Sequence, residues 1–336
     1  MSFIKNNTGI DIFKFLMAII VVAIHTHPFV SIKNETFLGV WNVVIQMAVP
    51  FFFISSGYLL YSKINVTVDK NAQKEVLKSY TRKIAKLYIY WNVIYLPLTI
   101  WKLCQNDATW YKNVIQFARS FFLVGGYYFS VPLWYLLSLL ISLSVIYFMF
   151  LRGKNVKTMF YVALVLFVIS LFIDILIDNK TGNTHLNQLG NILRITIGSG
   201  RLFSGMLYVV LGALLSTTTN LWNFRNVTPP LLIALLFQII QVEFISKLTF
   251  VILPVLIFVY SLQVKTIETR KAFFLRKSST VIYFTHMLVV FVMATILKES
   301  PYFGFHYFTL AVLIPILLTP LILKLEKTNP IIKQIF

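Results

Sequence analysis

The chain has 336 residues, 58% of them hydrophobic and 12% charged, with a mean hydropathy of +0.79. That is far more apolar surface than a soluble domain of this size can bury, so the composition excludes a soluble globular protein and identifies an integral membrane protein. The 30 Lys and Arg against 11 Asp and Glu do not argue for nucleic acid as a partner, because these cations fall in short loops between apolar runs, where the positive-inside rule accounts for them.

Ten apolar runs are long enough to cross a bilayer if some are tilted: 10–31, 40–61, 86–103, 132–151, 157–177, 200–216, 229–245, 248–264, 279–297 and 306–324. They predict an all-α, polytopic integral membrane helical bundle of about ten transmembrane helices. One transmembrane domain is expected over 1–336, with no soluble domain. The first run is read as a retained span, because no small-residue cleavage site follows it. In 113–129, Phe121, Phe122 and Leu123 are expected to dip into the membrane without crossing. Most of the Lys and Arg, among them Lys74, Lys78, Arg82, Lys154, Arg270 and Lys271, then lie on one side, which places both termini in the cytoplasm. The single cysteine, Cys104, cannot form an internal disulfide, and no Cys and His cluster stands at metal spacing. Neither a metal nor a permanently bound cofactor is expected.

Lys14 and His25 lie inside the first run. Eleven helical steps return to within roughly 20° of the starting direction and rise ~16 Å, so a helix stacks both on one stripe, about half a bilayer apart. Polar groups at that depth are costly and tend to face a protein interior or a wet cavity. Two readings stand side by side. In one, His25 takes a proton from a hydroxyl and returns one to a leaving group, while Lys14 supplies a cation for an anionic group such as a phosphate. In the other, Lys14 snorkels to the inner headgroups or pairs with Asp11, and His25 bonds a neighbouring helix. His27 is off that face and precedes Pro28, so the helix is expected to end or kink there, without a His25 and His27 metal pair.

Further along, Pro50 frees a backbone carbonyl, and Ser55, Ser56 and Gly57 permit close helix approach. Arg82, Lys83 and Lys86 form a cationic cluster at the inner mouth of the third run, suited to anionic lipid headgroups. Trp134 and Tyr135 open the fourth at its outer interface. Asp174, Asp178 and Glu243, near outer helix ends, fit a solvated face and sugar contacts equally well. Arg201 starts the sixth run, where it either snorkels or faces a cavity and holds an anion. His286, inside the ninth, is expected to make an interhelical hydrogen bond.

The order of these signals resembles the acyltransferase-3 family of membrane acyltransferases. The likeness rests on Gly9-Ile10-Asp11 leading into Lys14 and His25, on Val49-Pro50-Phe51-Phe52-Phe53, and on Ser56-Gly57-Tyr58. It continues through Arg82-Lys83 with Lys86, Leu133-Trp134-Tyr135-Leu136, Arg201 with Gly205 and Gly212, and the stretch from Tyr283 to His286. The resemblance covers nearly the whole length. It implies transfer of an acyl group, often acetyl, from cytoplasmic acyl-coenzyme A to a hydroxyl on a cell-surface or lipid-linked glycan, in a bacterial cytoplasmic membrane. Acyl-coenzyme A is then a co-substrate, and the glycan and membrane lipids are the other partners. The family's motif of a basic residue, ten residues and an essential His maps onto Lys14 and His25, although Arg is the commoner basic residue. The cationic cluster maps onto the coenzyme phosphates. Many members carry a carboxylate soon after the tryptophan motif, where this chain has Leu137-Ser138-Leu139-Leu140, so the sequence does not identify the partner that orients His25.

The mechanism expected on that basis has His25 as general base in a direct transfer that needs no enzyme nucleophile. Arg201 is the candidate donor to the oxyanion. Lys14, Arg82, Lys83 and Lys86 are assigned to the co-substrate, and Ser56, Trp134, Tyr135 and His286 to substrate contact or structure. A transporter or flippase of a small polar substrate or glycan intermediate is the alternative, with His25, Arg201 and His286 along a pathway. Transporters usually carry inverted repeats and interrupted helices in matching halves, and no internal repeat is visible.

Overall fold

The computed structural model describes residues 7–105, 109–178, 183–218, 224–240, 243–264, 268–298 and 303–336, and among them it contains helices and no strand. Helix α1 (Thr8–Thr26) begins where the side-chain oxygen of Asn7 accepts hydrogen bonds from the N–H groups of Gly9 at 3.1 Å and Ile10 at 3.4 Å, donors that have no partner inside the helix. It stops at His27, whose φ of 43° is left-handed, one residue before the Pro28 that the sequence marked as its end. Helix α2 (Glu35–Val66) runs through Pro50. Helix α3 (Lys70–Cys104) is capped by Asp69, which accepts the Ala72 N–H at 2.7 Å. Helix α4 (Trp110–Arg119) passes through a π-helical turn at Ser120–Val124 and a 3₁₀ turn at Tyr128–Leu133 into α5 (Trp134–Leu151). Phe122 and Leu123 are exposed on that π-helical turn. There follow α6 (Val156–Asp178), α7 (Thr184–Thr196), α8 (Arg201–Leu215), α9 (Phe224–Ile240), α10 (Glu243–Ser261), α11 (Thr269–Leu297), α12 (Phe305–Thr328) and α13 (Pro330–Ile335).

Six stretches are long and apolar enough to cross a membrane: α1, α2, the segment from Trp110 to Leu151, α6, α11 and α12. A seventh is added if α7 and α8, bent by 73° at their junction, form one span. The chain is therefore a multi-pass membrane protein. Among the described residues each of the ten apolar runs overlaps a helix, though 10–31 extends past the end of α1, and the runs on α3, α9 and α10 do not meet the same criterion. In α3 the apolar run is diluted by Lys86, Asn92 and Lys102 and by Tyr88, Tyr90 and Tyr95. In α9 and α10 the described apolar parts are Asn226–Leu235 and Phe250–Ser261, shorter than the ~20 residues a perpendicular span needs, and residues 241 and 242 lie outside the described ones.

The chain divides into two compact units. The first holds the residues through Ser56 and Leu215–Gln334, that is α1, the first part of α2, α9 to α12 and most of α13. In it α1 packs along α11, and α11 along α12. The shared core consists of Ala18 and Val22 from α1, Ile282 and Val290 from α11, and Tyr307, Ala311 and Val312 from α12. Gly9 sits where any Cβ would collide with the carbonyl oxygen of Ser261, so the start of α1 touches the end of α10 backbone to backbone. Asn7 Nδ2 donates to the Leu262 carbonyl at 3.1 Å across the same contact.

The second unit, Gly57–Leu214, contains the rest of α2 and α3 to α8. Helix α5 is tied to α8 by the Ser138 hydroxyl, which donates to the Leu202 carbonyl at 2.9 Å. The Arg119 guanidinium donates to the carbonyls of Thr196 at 2.9 Å and Arg194 at 3.0 Å, satisfying acceptors that the end of α7 leaves open. Gly57 faces the backbone of Val209 in α8 so closely that a Cβ would meet its carbonyl oxygen.

Because backbone cannot yield as a side chain does, Gly57→Val is expected to destabilise the protein by about 1–3 kcal/mol. Thermal unfolding in detergent reads this as a lowered midpoint, and an unchanged midpoint would contradict the close approach of α2 and α8.

Candidate active site

Two polar contacts join α1 and α11, and their order shows that the helices run parallel. Asp11, near the start of α1, pairs with Arg276, with Oδ2 3.6 Å from Nη1. His25, in the last turn of α1, lies beside His286, further along α11. Asp11 is buried and Lys14, one turn on, is half-buried and also attracts this carboxylate. A carboxylate placed among apolar helices requires cations of this kind. The pairing of Lys14 with Asp11 considered from the sequence thus has a counterpart here, with Arg276 from the neighbouring helix as a further partner. Lys277, the next residue, pairs with Glu326 of α12 at 2.7 Å, so both seams of α11 carry a charge contact.

At the other end of the seam the His25 and His286 rings have centroids 5.5 Å apart and an interplanar angle of 33°. His25 is half-buried, whereas His286 has no exposed surface. His286 Nδ1 is 2.9 Å from the Ile282 carbonyl, and since a carbonyl only accepts, Nδ1 carries the proton. The rings meet because His25 follows Val22 by three residues on the α1 stripe that packs on α11, while His286 lies four residues from both Ile282 and Val290 of the same core. His27 points elsewhere, its ring edge-on to Phe303 with centroids 4.4 Å apart.

In the second unit, Arg82, Lys83 and Lys86 are exposed on α3, while Ile84 and Leu87 of the same turns are buried. The cluster is therefore one cationic face of a helix. Trp134 and Tyr135, both half-buried, open α5. The Arg201 guanidinium lies over the Trp134 ring at 4.9 Å from its centroid, and Asp174 is its electrostatic partner. Asp174 Oδ1 also accepts the Gly200 N–H at 2.8 Å, so this carboxylate is built into the turn that precedes α8. Asp178 is exposed, and the Glu243 side chain lies outside the described residues. Ser56 is buried at the end of the first unit's share of α2. The geometry thus gathers Lys14, His25 and His286 in the first unit and Arg82, Lys83, Lys86, Trp134, Tyr135 and Arg201 in the second. Sequence reasoning missed the Asp11 and Arg276 pair and the grouping of Asp174, Arg201 and Trp134. The signal for the latter was their place at helix ends, Asp174 in the last turns of α6 and Arg201 and Trp134 at the starts of α8 and α5.

Among the described residues no group of three or more His, Cys, Asp or Glu is placed to hold a metal ion.

A family model described as "Acyltransferase domain" matches residues 7–324. Among curated proteins, an amino-acid racemase of Enterococcus faecalis is 26% identical over 224 residues, which cover 66% of this chain and 30% of the relative. A second match to an amino-acid racemase of that species is 35% identical over 127 residues, covering 38% of this chain and 17% of the relative. A serine/alanine racemase of Enterococcus gallinarum is 27% identical over 165 residues, 49% of this chain and 22% of the relative. The matches thus span less than a third of the length of each of these relatives. No solved structure matches the chain.

The α11 to α12 ion pair generates a direct test. Glu326→Leu alone leaves Lys277 as an uncompensated, largely buried cation and is expected to destabilise by on the order of 3 kcal/mol, whereas Lys277→Met with Glu326→Leu restores most of that loss. Thermal unfolding of the three proteins measures it, and a double variant no better than the single one would contradict the pairing.

Proposed function

Since the chain belongs to the acyltransferase-3 family, we propose that it is a membrane O-acyltransferase that moves an acyl group, acetyl in the first instance, from cytoplasmic acyl-coenzyme A to a hydroxyl of a cell-surface or lipid-linked glycan. The observation that supports this reading is His25, held half-buried inside an apolar helix that also carries Lys14 about half a bilayer away. In the proposed step His25 removes the acceptor hydroxyl proton as that oxygen attacks the thioester carbonyl. Collapse of the tetrahedral intermediate breaks the carbon–sulfur bond, and the imidazolium returns the proton to the departing thiolate. The products are the O-acyl ester and free coenzyme A.

The cationic face of Arg82, Lys83 and Lys86 suits the phosphates of the nucleotide end, with Lys14 as a further cation for the co-substrate. Arg201 is the proposed donor to the oxyanion, and the Trp134 ring centroid lies 4.9 Å from its guanidinium carbon. Both termini and the cation-rich loops then face the cytoplasm of a bacterial cell, and α3, α9 and α10 complete a single domain of about ten crossings. The nucleotide stays inside while its long thin arm reaches His25 between helices.

Membranes containing the parent protein or His25→Ala, at equal abundance, are supplied with radiolabelled acetyl-coenzyme A and the host's own glycans. The parent is expected to place label in an alkali-labile ester, and His25→Ala to lose about 10²- to 10⁴-fold of that rate. Equal rates would remove His25 from the chemistry. With Arg82, Lys83 and Lys86 all changed to Gln, KM for acetyl-coenzyme A is expected to rise about tenfold or more with little change in kcat, since only uniform binding is removed. An unchanged KM would return the cluster to a lipid-binding role.

A further inference from the structure

His286 has one ring nitrogen accounted for and one that is not. Its Nδ1 donates to the Ile282 carbonyl at 2.9 Å, which leaves Nε2 as a bare acceptor, and this atom is buried with no hydrogen-bond partner among the described residues. Buried polar atoms in proteins are overwhelmingly satisfied, and an orphan in an apolar surrounding calls for a reason. The ring beside that of His286 belongs to His25, 5.5 Å away between centroids. At that separation a nitrogen of each ring, about 1.1 Å from its centroid, lies about 3.3 Å from the other when the His25 ring turns its nitrogen toward Nε2, which is within hydrogen-bond reach.

We propose that His286 is the positioning residue of His25, its Nε2 accepting the N–H of the near nitrogen of His25 and so holding the far nitrogen unprotonated as the base. The assignment rests on the reading of His25 as general base. It supplies the orienting partner that Leu137-Ser138-Leu139-Leu140 does not provide as a carboxylate. Which nitrogen of an imidazole is protonated is set by the bond that the other makes, and a fixed acceptor behind a base selects one tautomer. Here the acceptor is itself a neutral imidazole, locked by its own helix: the Ile282 carbonyl pins Nδ1–H, and Ile282 and Val290 pack into the core on either side. When His25 takes up the acceptor's proton, its near N–H remains bonded to the His286 lone pair. The positive charge then forms in a buried seam without introducing a buried anion. His286 touches no reacting atom in this arrangement and acts only through His25.

Two substitutions separate this role from a purely structural one. Asn at 286 places its amide nitrogen near the Nδ1 position and keeps the bond to Ile282, but removes the atom at Nε2. Gln extends an amide to the Nε2 position and gives up the Ile282 bond. Ester formation from radiolabelled acetyl-coenzyme A is expected to fall in His286→Asn by about 10²- to 10⁴-fold in kcat with KM unchanged, and to stay within about tenfold of the parent in His286→Gln. The opposite ranking, with Asn active and Gln inactive, would overturn the proposal and leave His286 as a helix-packing residue. A second measurement does not depend on turnover: the ¹⁵N signals of histidine-labelled protein in detergent. The parent is expected to show His25 as a single neutral tautomer, and His286→Asn to show the averaged shifts of a mixture. A His25 signal identical in the two proteins would overturn the positioning role even if acyl transfer is intact. If the parent forms no ester, the function proposed above fails, and the ¹⁵N comparison still decides whether His286 sets the tautomer of His25.

Discussion

A bilayer interior supplies no water to polar groups, so those carried by apolar helices are costly unless they meet other polar groups, and the pairing of α1 with α11 brings a carboxylate to an arginine and two imidazole rings together. Asp11 sets the register at one end through Arg276, and the two histidine rings meet at the other. Between them the contact is small and apolar, with Ala18 and Val22 against Ile282 and Val290. Hydrophobicity alone does not drive helices together in lipid, so tight packing and polar contacts carry the specificity. The backbone approach at Gly9 and the Asn7 cap fix where α1 begins, and hence the depth at which Lys14 and His25 are held.

The second unit meets the same requirement by different means. Its buried hydroxyl at Ser138 is spent on a neighbouring helix's carbonyl, and the Arg119 guanidinium closes the open end of α7 just before the chain bends into α8. Arg201 begins α8 with an aromatic face on one side and a carboxylate in electrostatic reach on another. An arginine supported in this way holds a fixed fork of donors. That suits an anion developing in a reaction, and it equally explains why Trp134 stands at the start of α5.

Much of this was legible from residue patterns, because the membrane imposes a single strong rule on composition. The apolar runs located the helices that carry Lys14, His25, Arg201 and His286, though not α4 or α7, and Pro28 after His27 marked the end of α1. The one stripe shared by Lys14 and His25 followed from helical geometry. The number of crossings was less legible. In α3 lysines and tyrosines interrupt the apolar run, and in α9 and α10 the described apolar parts are short, so length and apolarity give six or seven spans where runs alone suggested ten. Partners across helices were not readable, since spacing says which residues share a face but not which face meets which. His286 is the example: its position inside a span pointed to an interhelical hydrogen bond, but its Nδ1 bonds the Ile282 carbonyl of its own helix, and the His25 ring that it faces depends on the register of α11 against α1. Asp174 is another, assigned equally to solvent or sugar until its bond to the Gly200 N–H made it part of a turn.

In the proposed mechanism one helix connects a cytoplasmic donor with an acceptor on the other side, with His25 as the base between them. The most direct measurement uses purified protein inserted into sealed liposomes with known orientation, acetyl-coenzyme A labelled in its acetyl group on the side of the cationic loops, and the glycan acceptor enclosed on the other. Ester is predicted to form on the enclosed glycan while the coenzyme remains outside. Acetyl-coenzyme A appearing intact in the lumen, or ester forming only when donor and acceptor share one compartment, would contradict the account.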